Sequence, residues 1–197
     1  LQLTNFQQYT GGNDSSLDKI AIEDVTPLLY KSFASSRVKY GQATDLTFTI
    51  QSRSDLSYKG ATTATGATGW EFTDTLPTKG TTPSGAEVSL QLKAQGTPVI
   101  TAYDVNGNVI SGGCSADVSV GNSVTAKNGI MKENVAECKI TVQVTANTDE
   151  ECPEEVLFDN GAAQFKDANN NWNMKYVDFV EGDSVSFYGT GSATWEK

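Results

Sequence analysis

Apolar and polar residues alternate with a period of two in short runs from Val25 onward, and Gly, Asn, Asp, Ser and Thr separate the runs. Helical spacing of apolar positions is almost absent. In Leu46-Thr47-Phe48-Thr49-Ile50 the apolar side chains share one face and the threonines the other, the pattern of an antiparallel strand buried on one side. Ala86-Glu87-Val88-Ser89-Leu90-Gln91-Leu92 and Ile140-Thr141-Val142-Gln143-Val144 repeat it, and further strands are expected around Trp172 to Val180 and Val185 to Tyr188. Asn106-Gly107, set between Val99-Ile100-Thr101-Ala102-Tyr103 and Val109-Ile110, predicts a type I′ hairpin, whose two central residues both need positive φ. The stretch from Gly60 to Gly69 reads as a loop. Residues 1–24, with Gly11-Gly12-Asn13-Asp14-Ser15-Ser16 at their centre, read as a linker or an added edge strand. Residues 25–197 are expected to form a single all-β, antiparallel, two-sheet sandwich.

The same parity exposes a conflict. Leu29, Lys31 and Phe33 share one strand face; Trp70, Phe72, Asp74 and Leu76 share a second; Phe158, Asn160 and Ala162 share a third. Each apolar face therefore carries one polar residue, of a different type each time. Burying an unpaired Lys or Asp costs several kcal/mol, so such residues must be neutralised or paired. The alternative is that Lys31 reaches back to solvent, Asp74 caps a turn before Pro77, and Asn160-Gly161 is a hairpin turn.

Composition narrows the chemistry. With 14 Lys and Arg against 24 Asp and Glu, the net charge of -10 repels nucleic-acid phosphates and anionic membranes. No apolar run approaches the ~20 residues that a membrane helix requires, so no membrane insertion is expected. There is also no basic-then-apolar leader at Leu1, which suggests a mature or excised fragment. The absence of histidine removes the commonest general base and zinc ligand, and no cofactor or metal is expected. Three cysteines, Cys114, Cys138 and Cys152, without a CxxC pair suit one bridge plus one leftover thiol in an oxidising, extracellular setting. Asp104-Val105-Asn106-Gly107-Asn108 and Asp167-Ala168-Asn169-Asn170-Asn171 carry oxygen ligands but complete no calcium loop, and turns are the simpler reading. Leu76-Pro77-Thr78-Lys79-Gly80 is read as the end of a strand. Among the tryptophans, Trp70 belongs in the core, whereas Trp172, inside the Asn-rich loop, is the candidate for a ligand contact.

Tyr30-Lys31-Ser32-Phe33-Ala34-Ser35, Trp70-Glu71-Phe72-Thr73-Asp74-Thr75-Leu76-Pro77, and Cys114 with Cys138-Lys139-Ile140-Thr141-Val142 together resemble the repeat domains of large bacterial surface proteins. The likeness runs from about Val25 to Gly161. It departs at Ala34-Ser35, where the family usually has Ser-Pro, and in the tail after Phe165. The resemblance implies an immunoglobulin-like antiparallel β-sandwich in an extracellular adhesin, pilus or stalk protein. It also implies a disulfide between Cys114 and Cys138, whose alternating neighbours point both thiols inward, with Cys152 free.

Sandwiches of this kind often join a first-strand Lys to a last-strand Asn by an isopeptide bond assisted by an acid, and the order Lys31, Asp74, Asn160 fits that scheme. Burial lowers a lysine pKa and raises a carboxyl pKa, giving an amine nucleophile beside an acid able to polarise the Asn160 carbonyl. The expected role is a structural, load-bearing domain contacting neighbouring domains of the same surface protein. The rivals are a module that binds glycan or host protein through Trp172, and a surface-layer subunit. Catalysis on an external substrate ranks last.

Overall fold

The structure, a computed structural model, describes residues 27–52, 67–149, 153–161, 164–166 and 183–189. Among these residues there is no helix, and thirteen strands form three hydrogen-bonded sheets. The strands are β1 (Leu28–Phe33), β2 (Arg37–Lys39), β3 (Ala43–Gln51), β4 (Ala67–Thr75), β5 (Lys79–Thr81), β6 (Glu87–Ser89) and β7 (Lys93–Tyr103). They continue with β8 (Cys114–Ser119), β9 (Ser123–Met131), β10 (Glu137–Thr145), β11 (Val156–Asn160), β12 (Gln164–Lys166) and β13 (Asp183–Tyr188).

The first sheet has the order β1-β3-β10-β7. β1 pairs with β3, and β10 lies between β3 and β7, all antiparallel. Alternation builds it as expected. Leu46, Phe48 and Ile50 on β3 and Cys138, Ile140, Val142 and Val144 on β10 are buried, while the outward Thr47 and Thr141 hydroxyls meet at 3.1 Å across the strands.

The facing sheet, β12-β4-β9-β8, covers this apolar surface, with the Phe72 ring centred 4.8 Å from that of Phe48. On β4 the Trp70 ring lies against the backbone of Gly129 on β9, where any Cβ would fall 2.0 Å from the indole. Glycine there lets a large ring lie on a neighbouring strand, and it anchors the strand that also carries Asp74.

The sandwich is an immunoglobulin-like, mainly antiparallel all-β fold, but two sheets do not complete it. A third, β2-β13-β11-β5-β6, feeds Val38, Val156, Phe158, Val185 and Phe187 into the same core and contains one parallel pair, β13 with β2. The difference arises because the chain leaves the first sheet after β10 and returns as a strand that pairs with β13 and β5 instead. At Gly80 on β5, an added Cβ would meet the Leu157 carbonyl oxygen at 2.7 Å, so only glycine permits that approach to β11.

Three local expectations are corrected. The run from Ala86 to Leu92 forms only the three-residue β6, because the chain then crosses between sheets to start β7 at Lys93. The expected Gly60–Gly69 loop is overtaken at its end by β4, which begins at Ala67. At the β7 hairpin only Gly107 has positive φ, at 82°, so the turn is not type I′. It is a type I turn closed by Gly107 N donating to Asp104 O at 3.0 Å, with the glycine in the left-handed position that follows. The Asp104 carboxylate selects this form by accepting from the Asn106 and Asn108 backbone N–H groups, each at 2.8 Å. Residues 1–24, Cys152, the Asp167–Asn171 loop, Trp172 and the strand expected around Trp172 to Val180 lie outside the described residues.

Candidate functional site

Parity places Lys31, Asp74 and Asn160 on the inward faces of β1, β4 and β11, and the fold brings the three together. Each comes from a different sheet. Lys31 sits opposite Phe48 on β3, Asp74 opposite Val124 on β9, and Asn160 opposite Asp183 on β13. All three are removed from water, with 7%, 1% and 0% of their surfaces exposed.

Asp74 is the hub. Its Oδ1 accepts from Lys31 Nζ at 2.6 Å, and its Oδ2 accepts from Asn160 Nδ2 at 3.0 Å. Lys31 Nζ also donates to the Gly161 carbonyl oxygen. Loss of hydration lowers the Lys31 pKa below its usual value, against the opposing pull of Asp74 and, more weakly, of Asp159 and Asp183. The site therefore favours an uncharged amine more than water does.

What the arrangement can do follows from counting protons. A lysine ammonium and an aspartate carboxylate at 2.6 Å become an amine and a carboxylic acid by moving one proton along that hydrogen bond. The new Asp74 Oδ1–H then donates to the amine lone pair while one amine hydrogen keeps the Gly161 carbonyl oxygen as acceptor, so the lone pair must turn off that bond to act as a nucleophile. Asn160 Oδ1, where charge would develop if that lone pair attacked the amide, is buried with no hydrogen-bond partner among the described residues.

Two features of the expected scheme change. Asp74 meets the amide nitrogen of Asn160 and not the carbonyl oxygen it was expected to polarise, because its two oxygens span the gap from amine to amide nitrogen. Asn160 also does not lie on the last strand. It ends β11, and β12 and β13 follow it in the chain. The Gly161 carbonyl has no signature in a side-chain pattern; only its position next to Asn160 hinted at it.

Cys114 on β8 and Cys138 on β10 form a disulfide with Cα atoms 6.0 Å apart, tying the two facing sheets together. The Asp104 loop is a turn whose carboxylate is occupied by Asn106 and Asn108. Hydrogen bonds from Asn108, chiefly, hold its pKa below the usual aspartate value. Among the described residues no group of three Cys, Asp or Glu side chains is arranged to hold a metal ion.

No protein-family model matches the chain, and no curated protein does. Among solved structures, a variant of BcpA, the major pilin subunit of Bacillus cereus, aligns with a TM-score of 0.43 and 13% identity over 83% of this chain. The alignment covers 40% of that pilin. A cohesin module from a Clostridium perfringens family 33 glycoside hydrolase aligns with a TM-score of 0.34 and 11% identity, covering 84% of this chain and 98% of the module. AvmM, which catalyses macrocyclisation in alchivemycin A biosynthesis, aligns with a TM-score of 0.33 and 8% identity, covering 88% of this chain and 94% of its own.

Proposed function

We propose that this chain is a load-bearing domain of a bacterial cell-surface adhesin or pilus, locked by an isopeptide bond that its own core forms between Lys31 and Asn160. The observation that carries the reading is Asp74, buried and bonded to the Lys31 amine through one oxygen and to the Asn160 amide nitrogen through the other. A lysine and an asparagine are costly to bury for packing alone. Placing them on either side of one carboxyl group gives that cost a chemical purpose.

In the reaction, the Lys31 ammonium gives one proton to Asp74 Oδ1, and the resulting lone pair attacks Asn160 Cγ. The Nζ–Cγ bond forms as the carbonyl π electrons move to Oδ1. The Asp74 carboxyl group then turns so that its O–H faces Nδ2, delivers that proton to Nδ2, and takes one from Nζ on the oxygen left bare. The Cγ–Nδ2 bond breaks, ammonia leaves, the carbonyl reforms, and Asp74 ends as a neutral acid. The folded core supplies the alignment and dryness that amide aminolysis lacks in water. The new bond would join strands of two sheets, so that tension between β1 and β11 passes through it and spares the ladders formed by the chain between residues 31 and 160.

Intact mass of the full chain tests this. The expected mass is lower than the sequence mass by one ammonia and the two hydrogens of the disulfide, and Asp74→Ala should restore the ammonia alone. A wild-type mass lacking only the two hydrogens would remove the crosslink from the proposal.

A further inference from the structure

Lys31 and Asn160 approach each other from strands that share no ladder. β1 is bonded to β3 in the first sheet, and β11 to β13 and β5 in the third. Something must fix the gap between them, because aminolysis tolerates little misplacement of the nucleophile. Asp183, the first residue of β13, touches both sides. Its backbone is paired directly opposite Asn160, and its carboxylate Oδ2 accepts from the backbone N–H of Phe33 at 2.7 Å. Phe33 is the next residue after Lys31 on the same face of β1.

We infer that Asp183 is a positioning residue for the crosslink, holding β1 against β11 so that the Lys31 amine meets the Asn160 amide. This rests on the crosslinking reading above. Asp183 touches neither reacting atom; it acts through the two backbones. Its charge has a separate consequence. The charged groups that act on Lys31 are Asp74 on β4, Asp159 on the exposed face of β11 and Asp183 on β13, while β3 presents Phe48. Each carboxylate holds a proton on the amine more firmly, Asp183 among them. The reactive pair needs one proton between Lys31 and Asp74, and alkali that strips it leaves Asp74 nothing to relay to the departing nitrogen. Removing the Asp183 charge should therefore let that proton go at lower pH.

The two effects separate in one experiment. Full chains are isolated unreacted in denaturant and diluted into refolding buffer across a range of pH. Samples quenched at intervals are scored by mass for the fraction that has lost ammonia. Near-ultraviolet circular dichroism confirms folding. Asp183→Ala should crosslink slower than wild type by about tenfold or more. Asp183→Asn keeps a carbonyl oxygen for Phe33 N–H and should crosslink at close to the wild-type rate on the neutral plateau, with its alkaline decline moved to lower pH. A merely structural aspartate would not move that decline. Wild-type rates in Asp183→Ala, a loss in Asp183→Asn as large as in Asp183→Ala, or an unmoved alkaline limb would each overturn the inference. Should Asp183→Ala fail to fold, the plateau rate and alkaline limb of Asp183→Asn decide it. Wild type that never loses ammonia would overturn the crosslink itself, a result distinct from any of these.

Discussion

Two lysine–carboxylate pairs in this protein have the same length and opposite surroundings. Lys31 to Asp74 and Lys79 to Glu87 both measure 2.6 Å, yet the side chains of the first pair are 3% and 1% exposed and those of the second 56% and 66%. The Lys79 pair joins neighbouring strands β5 and β6 in water, where each ion keeps most of its hydration and the contact adds little. The Lys31 pair joins different sheets where water is excluded. There the ionic form is penalised, the neutral form gains, and a proton shared between the partners becomes available for chemistry. Contact distance is the same, so burial and the third partner, Asn160, make the difference.

The largest expected effect comes from breaking the buried pair. Asp74→Ala should abolish the crosslink, worth about 5 kcal/mol if the loop-closure estimate for disulfides carries over. It should also leave Lys31 buried without its counter-ion, a further loss of about 3–5 kcal/mol. Lys31→Met combined with Asp74→Asn removes both charges and should lose only the first contribution, so denaturant titration of the two variants separates crosslink from charge. Equal stability of both variants with wild type would dissolve the contrast between the pairs.

Next in size is the disulfide. Replacing both Cys114 and Cys138 by Ala should cost about 3 kcal/mol, measured by the same titration. Because both cysteines lie between Lys31 and Asn160 in the chain, a crosslinked wild type pulled from its ends should show no change in contour length when reductant is added.

A third effect is one of rate. The Lys31 pKa is lowered from 10.5, chiefly by burial. Crosslinking should therefore decline by about tenfold per pH unit on an alkaline limb whose midpoint lies below that value. A rate that kept rising through this range would show that Asp74 relays no proton. The smallest effect belongs to the exposed pair: Lys79→Ala should change stability by no more than about 1 kcal/mol, less in high salt, and leave crosslinking untouched.

How much of this was legible in the sequence depends on how far apart the interacting parts lie along the chain. The Asn106-Gly107 signal located a turn, but the Asp104 carboxylate, two residues upstream, chose its type. Alternation in Leu46–Ile50 and Ile140–Val144 told which side chains face inward, and these side chains are buried. The run from Ala86 to Leu92 alternates as well, yet only three residues pair, because alternation does not say where a chain changes sheets.

The sequence by itself determined an all-β chain, three inward polar residues and two inward cysteines, since a period of two fixes the side of a strand on which each residue lies. Tertiary structure alone decided that Lys31, Asp74 and Asn160 come from three sheets and meet, that Asp74 faces the amide nitrogen, and that Asp183 stands opposite Asn160 while reaching Phe33. Those facts depend on which strands become neighbours. That choice is made by packing between segments far apart in the chain, and no local pattern encodes it.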